Sequence, residues 1–245
     1  MSVVKKTKHS VSGKSEDIVL KVRGYVVEKI LGEGSYSKVK AARWQPPGSS
    51  QDSCMIALKI INRNTAPSEF LDKFWPRERS IMEKMNHRNV VKMIEVFSEG
   101  NKVYMALEKA SRGDLLDYVR LKGPLKESEA QAYFNDLCNG IQYVHGLGIV
   151  HRDLKCENLL LFDCNVLKVA DFGFARKILP SELSSTFCGS AAYAAPELLK
   201  GEPYEGVIAD YWSIGVILYI MVCSRMPYSD GSITQLVEQQ MKPVR

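Results

Sequence analysis

This chain lacks any apolar run long enough to cross a bilayer: its longest, residues 214–223, covers 10 positions where a spanning helix needs about 20. It also lacks the apolar N-terminal segment that opens a secreted chain, so the protein is expected to stay inside the cell. Its six cysteines (Cys54, Cys138, Cys156, Cys164, Cys188 and Cys223) include no Cys-x-x-Cys pair and no metal-ligand spacing, which points to free thiols rather than a disulfide framework. No compositional mark of disorder is present. With 45% hydrophobic and 25% charged residues, the 245-residue chain can bury a core and fits one large domain or two small ones.

Positive charge, in contrast, is concentrated. Of the net +5, much sits in residues 1–23, where Lys5, Lys6, Lys8, Lys14, Lys21 and Arg23 face only Glu16 and Asp17. A basic, serine-containing stretch of this kind is ordinarily a solvated leader, and residues 1–24 are read as a flexible one. Binding to a membrane surface or a nucleic acid would be better supported by aromatics among the lysines, and there are none.

What the sequence does carry lies in two short strings. His151-Arg152-Asp153-Leu154-Lys155-Cys156-Glu157-Asn158 is followed, thirteen positions on, by Asp171-Phe172-Gly173. The second string alone arises by chance; the ordered pair at this spacing rarely does. Phosphoryl transfer from ATP to a hydroxyl asks for one carboxylate to receive and orient the hydroxyl, and for ligands that hold magnesium against the phosphates. Asp153 suits the first task, and Asn158 and Asp171 the second. The alternative is two polar loops flanking hydrophobic strands over 158–162 and 167–170.

On these strings the chain resembles a eukaryotic Ser/Thr protein kinase, from about residue 25 to residue 245. Lys155, two residues after Asp153, is the form found in Ser/Thr-directed members and not in tyrosine kinases. Asp153-Leu-Lys-Cys-Glu-Asn-Leu-Leu-Leu, Asp171-Phe-Gly-Phe-Ala-Arg and the segment from Thr186 to Glu197 resemble the testis-specific serine kinases, relatives of the calmodulin-dependent kinase group. The resemblance implies an α+β, two-lobed fold: a small antiparallel β-rich lobe with one main helix over 25–108, and a larger, mostly helical lobe over 109–245. In the family that second lobe runs further, with two more helices and an arginine that pairs with the glutamate matching Glu197. A large lobe without its last helices is therefore the expectation.

The resemblance also implies ATP and magnesium as cofactors. It puts the nucleotide against Leu31, Gly32, Gly34, Ser35, Val39, Ala57, Lys59, Glu78, Glu108, Ala110 and Leu160, the metal on Asn158 and Asp171, and catalysis on Asp153 with Lys155. The residues themselves read compatibly. Gly32-Glu33-Gly34-Ser35-Tyr36-Ser37 is a glycine-punctuated turn between two strands rather than before a helix, so its backbone N–H groups can approach phosphates closely. Ser37 stands where the kinase pattern has a third glycine. Lys59 interrupts an apolar strand over 55–61, which is costly unless the charge is paired; phosphates and Glu78 would pair it, and the alternative is an edge-strand lysine facing water. Glu78, Met82 and Met85 follow helical spacing on one face of a helix around 70–85. Glu108-Lys109-Ala110 reads as the hinge, with Leu107 at the back of the adenine pocket.

Residues 171–197 form a loop of 27 residues, long enough to be functional. Thr186 lies eleven residues before Glu197, where such kinases are phosphorylated, and Arg152 would receive that phosphate. Ser181, Ser184 and Ser185 compete, and an ordinary surface threonine is the alternative. Ser190 matches a position that contacts the catalytic aspartate. Asp114 and Glu157 match acidic positions of arginine-directed kinases, whereas Ile220 replaces a glutamate that would accept a second arginine; both carboxylates could instead be solvated. A Ser/Thr-bearing protein substrate and an upstream activating kinase or chaperone are the implied partners, with no nucleic acid and no membrane span. The competing function is a catalytically weak, kinase-like scaffold. Lys59, Asp153 and Asp171, which such a module tends to lose, are all present.

Overall fold

The computed structural model describes residues 18–34, 36–48, 52–179, 182–186, 188–229 and 231–242. The chain divides into two compact units, one of Met1–Ser68 with Met93–Lys109, the other of Glu69–Lys92 with Ala110–Arg245.

The first unit is an antiparallel sheet of β1 (Tyr25–Glu33), β2 (Ser37–Trp44), β3 (Cys54–Asn62), β4 (Met93–Glu99) and β5 (Lys102–Glu108), in the order β1-β2-β3-β5-β4. Alternation sets its faces. Ile56, Leu58 and Ile60 of β3 are buried with Tyr25, Phe97 and Tyr104, and Tyr25 stacks between Trp44 and Phe97 at centroid distances of 6.0 and 5.7 Å. The intervening Ala57 and Lys59 face the other way and are half-buried. Residues 1–17 of the expected leader lie outside the described residues, but 18–22 form a helical turn that buries Leu20 in this core. Gly24 ends that turn at φ 81°, and a Cβ there would stand 1.8 Å from the carbonyl oxygen of Gln45.

In the second unit, the helix expected over 70–85 is split. A π-turn, Phe70–Phe74, precedes α1 (Trp75–Met82), and Pro76 opens α1 with no N–H to offer the preceding turn. Glu78, Met82 and Met85 are buried, as their spacing predicts. The segment after α1 is tied to the helical part: Asn89 donates its side-chain amide to Leu167 O at 3.0 Å, and Val91 N–H donates to Val169 O at 2.9 Å. Next come α2 (Leu115–Lys122), capped by Asp114, and the long α3 (Glu127–Gly146). Short strands follow: β6 (Ile149–Val150), the β7–β8 hairpin (Leu159–Phe162, Val166–Val169), β9 (Arg176–Lys177) paired to β6, and β10 (Leu183–Ser184) paired to β11 (Tyr204–Glu205). The helices α4 (Pro196–Lys200), α5 (Gly206–Cys223) and α6 (Ile233–Gln240) complete it.

By length and composition, α5 is the one helix among the described residues apolar enough to cross a membrane. It packs on α3 and carries Asp210, 1% exposed and fully hydrogen-bonded, which is the behaviour of a core helix. All six cysteines are free thiols.

Candidate active site

The loop between β6 and β7 is shaped by one buried carboxylate. Asp210 reaches from α5 to accept the backbone N–H of His151 (Oδ2, 2.9 Å) and of Arg152 (Oδ1, 2.9 Å), and Oδ2 also meets His145 Nε2 at 2.8 Å. These bonds hold Arg152 at φ 66°, a left-handed conformation that costs energy in a non-glycine residue. His151 is fully buried. Its Nδ1 accepts the N–H of Asp153 at 3.3 Å, so Nε2 carries the proton and donates to Ala170 O at 3.0 Å. The buried Phe172 ring lies edge-on to His151 at 5.0 Å. Asp210 was not singled out from the sequence; the available signal was a single charge inside an apolar helix, which needs buried partners.

Asp153, 6% exposed, is the centre of a network. Lys155 Nζ lies 3.0 Å from Oδ2 and donates to Ser190 Oγ at 3.1 Å, while Ser190 donates to Asp153 Oδ1 at 3.2 Å. Asn158, buried beneath, donates its amide nitrogen to the Asp153 carbonyl (2.8 Å) and to Oδ2 (3.2 Å). Gly189, at φ 89°, lets the next segment close over this loop: a Cβ there would meet Arg152 O at 2.5 Å and Asp153 Oδ1 at 3.1 Å. Asp171 is exposed at φ 59°, with Oδ1 accepting from Gly173 N–H at 3.3 Å. Leu160, half-buried on β7, and Ala110, at the start of this unit's second segment, complete the expected residues of the second unit together with Glu78.

The remaining expected residues belong to the first unit. In the strand register Val39 pairs with Lys59, and Ala57 pairs with Leu107, so these four side chains share one face of the sheet. Glu108 pairs with Ile56 at the end of β5. Leu31 and Gly32 lie near the end of β1, and Gly34 N–H donates to Ser37 O at 2.8 Å across the turn. A Cβ at Gly32 would meet nothing within 4 Å, so the backbone is open to close approach. Ser35 lies outside the described residues.

On the loop over 171–197, Thr186 is exposed and its carbonyl accepts the Tyr204 hydroxyl at 3.0 Å; the Arg152 guanidinium, in turn, donates Nε–H to Phe174 O at 2.8 Å and interacts with the Tyr204 phenol. Of the competing serines, Ser184 is 1% exposed, Ser185 is exposed and Ser181 lies outside the described residues. Asp114 and Glu157 interact electrostatically. Burial, and then the charges of Asp117 and Glu157, push the Asp114 carboxyl up despite the backbone N–H groups it caps, and Glu157 accepts the Tyr193 hydroxyl at 3.2 Å. Burial pushes the Cys156 thiol up to about 12 and raises the Cys188 thiol as well.

A sequence profile described as the protein kinase domain matches residues 25–245. The mouse testis-specific serine/threonine-protein kinase 1 is 49% identical over 228 residues, 91% of this chain and 61% of that protein. The human form is 47% identical over the same length, again with 61% of that protein covered, so the chain spans about three-fifths of these relatives. The mouse testis-specific serine/threonine-protein kinase 3 is 46% identical over 94% of this chain and 84% of its own, and the mouse serine/threonine-protein kinase SIK1 is 38% identical over 94% and 29%.

Proposed function

This chain belongs to the protein kinase family, and we propose that it transfers the γ-phosphoryl group of ATP to Ser/Thr hydroxyls of protein substrates. The observation that carries this reading is the network joining Asp153, Lys155, Ser190 and Asn158. The Asp153 carboxylate keeps lone pairs for an incoming hydroxyl: it orients that hydroxyl toward the phosphate and takes its proton as the new bond forms. Lys155, already within reach of Asp153, neutralises charge on the transferred group.

The donor set fits magnesium. Asn158 spends its amide nitrogen on Asp153, which leaves its oxygen for a metal, and Asp171 adds one exposed carboxylate. Few protein oxygens, completed by water and substrate phosphates, are the usual arrangement for this ion, consistent with no cluster of three or more metal-ligating side chains among the described residues. Bound magnesium and ATP would supply charge neutralisation and the leaving group. Val39, Ala57 and Leu107 would form the adenine face, with Glu108 and Ala110 offering backbone groups at the hinge.

We further propose a preference for arginine three residues before the acceptor. Asp114 and Glu157 repel one another, and a guanidinium beside them would relieve that repulsion. Phosphate on the exposed Thr186 would stabilise the active arrangement through Arg152, which is linked to the Thr186 carbonyl by way of Tyr204. The test is ³²P transfer from ATP-Mg to three peptides: Arg-x-x-Ser, Ala-x-x-Ser, and Arg-x-x-Tyr. Incorporation ranking in that order, with the tyrosine peptide silent, is expected. ATP binding without transfer to any peptide would support a kinase-like scaffold instead.

A further inference from the structure

Two consecutive backbone carbonyls in the segment before α4 are held by side chains from different helices. Ser213 of α5 donates its hydroxyl to Tyr193 O at 2.9 Å, and Gln240 of α6 donates its side-chain amide to Ala194 O at 3.0 Å. Both peptide planes that flank Ala194 are therefore fixed, and the main chain beside the Tyr193 ring cannot swivel there. Gln240 is 8% exposed and lies one turn beyond Leu236, the other buried residue of α6. Leu236 packs in an apolar cluster with Ala194, Ala195, Leu198 and Leu199, so the amide reaches Ala194 through apolar surroundings.

Packing alone does not account for this amide. Its Oε1 is buried with no hydrogen-bond partner among the described residues, and an acceptor left in that state is destabilising. Methionine, similar in volume and shape, would fill the space with no such atom. What glutamine adds is the bond to Ala194 O, and the neighbouring residue is the one that carries the bond onward. Tyr193, 6% exposed, donates its hydroxyl to Glu157 Oε2 at 3.2 Å and also meets the Cys156 thiol. Glu157 itself is exposed, on the loop that carries Asp153. An exposed carboxylate that rotates freely must be ordered when a guanidinium docks on it, whereas one already held by a phenol loses less freedom on binding.

We propose that Gln240 is a positioning residue for the substrate arginine, resting on the preference proposed for Asp114 and Glu157. Its bond to Ala194 O fixes the main chain next to Tyr193, and the Tyr193 hydroxyl fixes the Glu157 carboxylate that meets the guanidinium. In this arrangement α6, which contributes nothing to the network around Asp153, governs which peptide binds and leaves the transfer step alone. The buried, unpartnered Oε1 is then a stability cost retained for selectivity.

The test compares the whole chain with Gln240→Met, using ATP-Mg and the Arg-x-x-Ser and Ala-x-x-Ser peptides. The KM for Arg-x-x-Ser should rise about tenfold, as expected when a hydrogen bond to a charged group is weakened. Its kcat, and the KM for ATP, should stay within about twofold of the parent. Selectivity, the ratio of kcat/KM for the two peptides, should fall by the same factor of about ten. The Tm should stay within about 4 °C, because the variant strands the Ala194 carbonyl but removes the unpartnered oxygen. Tyr193→Phe, which leaves α6 untouched, should raise the KM for Arg-x-x-Ser in the same way and serves should Gln240→Met misfold. The double variant should lose no more selectivity than Tyr193→Phe alone, since both changes act on one carboxylate. Undiminished selectivity in either single variant, additive losses in the double variant, or a fall in kcat equal to the rise in KM would overturn the proposal. A parent chain with no preference for arginine would overturn it together with the arginine reading, whereas a preference kept by the variants would overturn this proposal alone.

Discussion

Asp210 Oδ1 accepts the backbone N–H of Arg152 at 2.9 Å, so a carboxylate on α5 fixes the left-handed residue that immediately precedes Asp153. The same carboxylate holds His151 and His145 through Oδ2. Replacing it by alanine strands two buried N–H groups at about 1–3 kcal/mol each. Asp210→Ala should thus lose about 3 kcal/mol, seen as a fall in Tm of roughly 6–12 °C. Its residual folded fraction should also transfer phosphate poorly, because Asp210 holds the two backbone N–H groups immediately before Asp153. An unchanged Tm would contradict this role.

Gly189 should tolerate no side chain. Its φ of 89° strains any other residue, and a Cβ would lie 2.5 Å from Arg152 O. Gly189→Ala should push the loop off Asp153 and disrupt the Ser190 contact. The expected signature is a kcat loss larger than the Tm loss, measured on one preparation.

Cys156 should be unreactive at neutral pH. Its thiol is raised from 9.0 to about 12, chiefly by burial. At pH 8 the thiolate fraction is then on the order of 10⁻⁴. Iodoacetamide with mass mapping should modify the exposed Cys54 and Cys164 and spare Cys156. Because the folded state binds this proton more tightly than the unfolded one, Cys156 contributes a stability that declines as pH rises from about 9 to about 12. Early labelling of Cys156 would contradict its burial.

Leu20, 4% exposed, belongs to the core of the first unit. Leu20→Ala should cost about 2–4 kcal/mol, read from urea unfolding, whereas a change at an exposed neighbour such as Val22 should fall within about 0.5 kcal/mol. Equal effects would mean that the turn over 18–22 does not pack on the sheet.

Much of the site was legible in the sequence because chemistry restricts its residue types. Asp153, Lys155 and Asn158 were predicted as neighbours in one loop, and the structure brings them within hydrogen-bonding distance, with Ser190, expected beside that aspartate, reaching it from 37 residues away. Strand β3 was readable from its apolar run, and Lys59 from its cost inside it. Long-range partners were less legible. Asp210 lies 57 residues beyond Asp153, and only its isolated charge marked it. The π-turn before α1 was missed because the helical periodicity of 70–85 continues across it, and Pro76 was the sole sign. The ordered turn over 18–22 was hidden by the basic composition around it.

The most direct measurement is the initial rate of ³²P transfer from ATP-Mg to the Arg-x-x-Ser peptide, taken for the parent chain beside Asp153→Asn. The amide can accept a hydrogen bond but cannot take the proton, so the account predicts measurable incorporation in the parent and a loss of about 10²-fold or more in the variant. Equal rates in two equally folded proteins would contradict the assignment of Asp153 as the base.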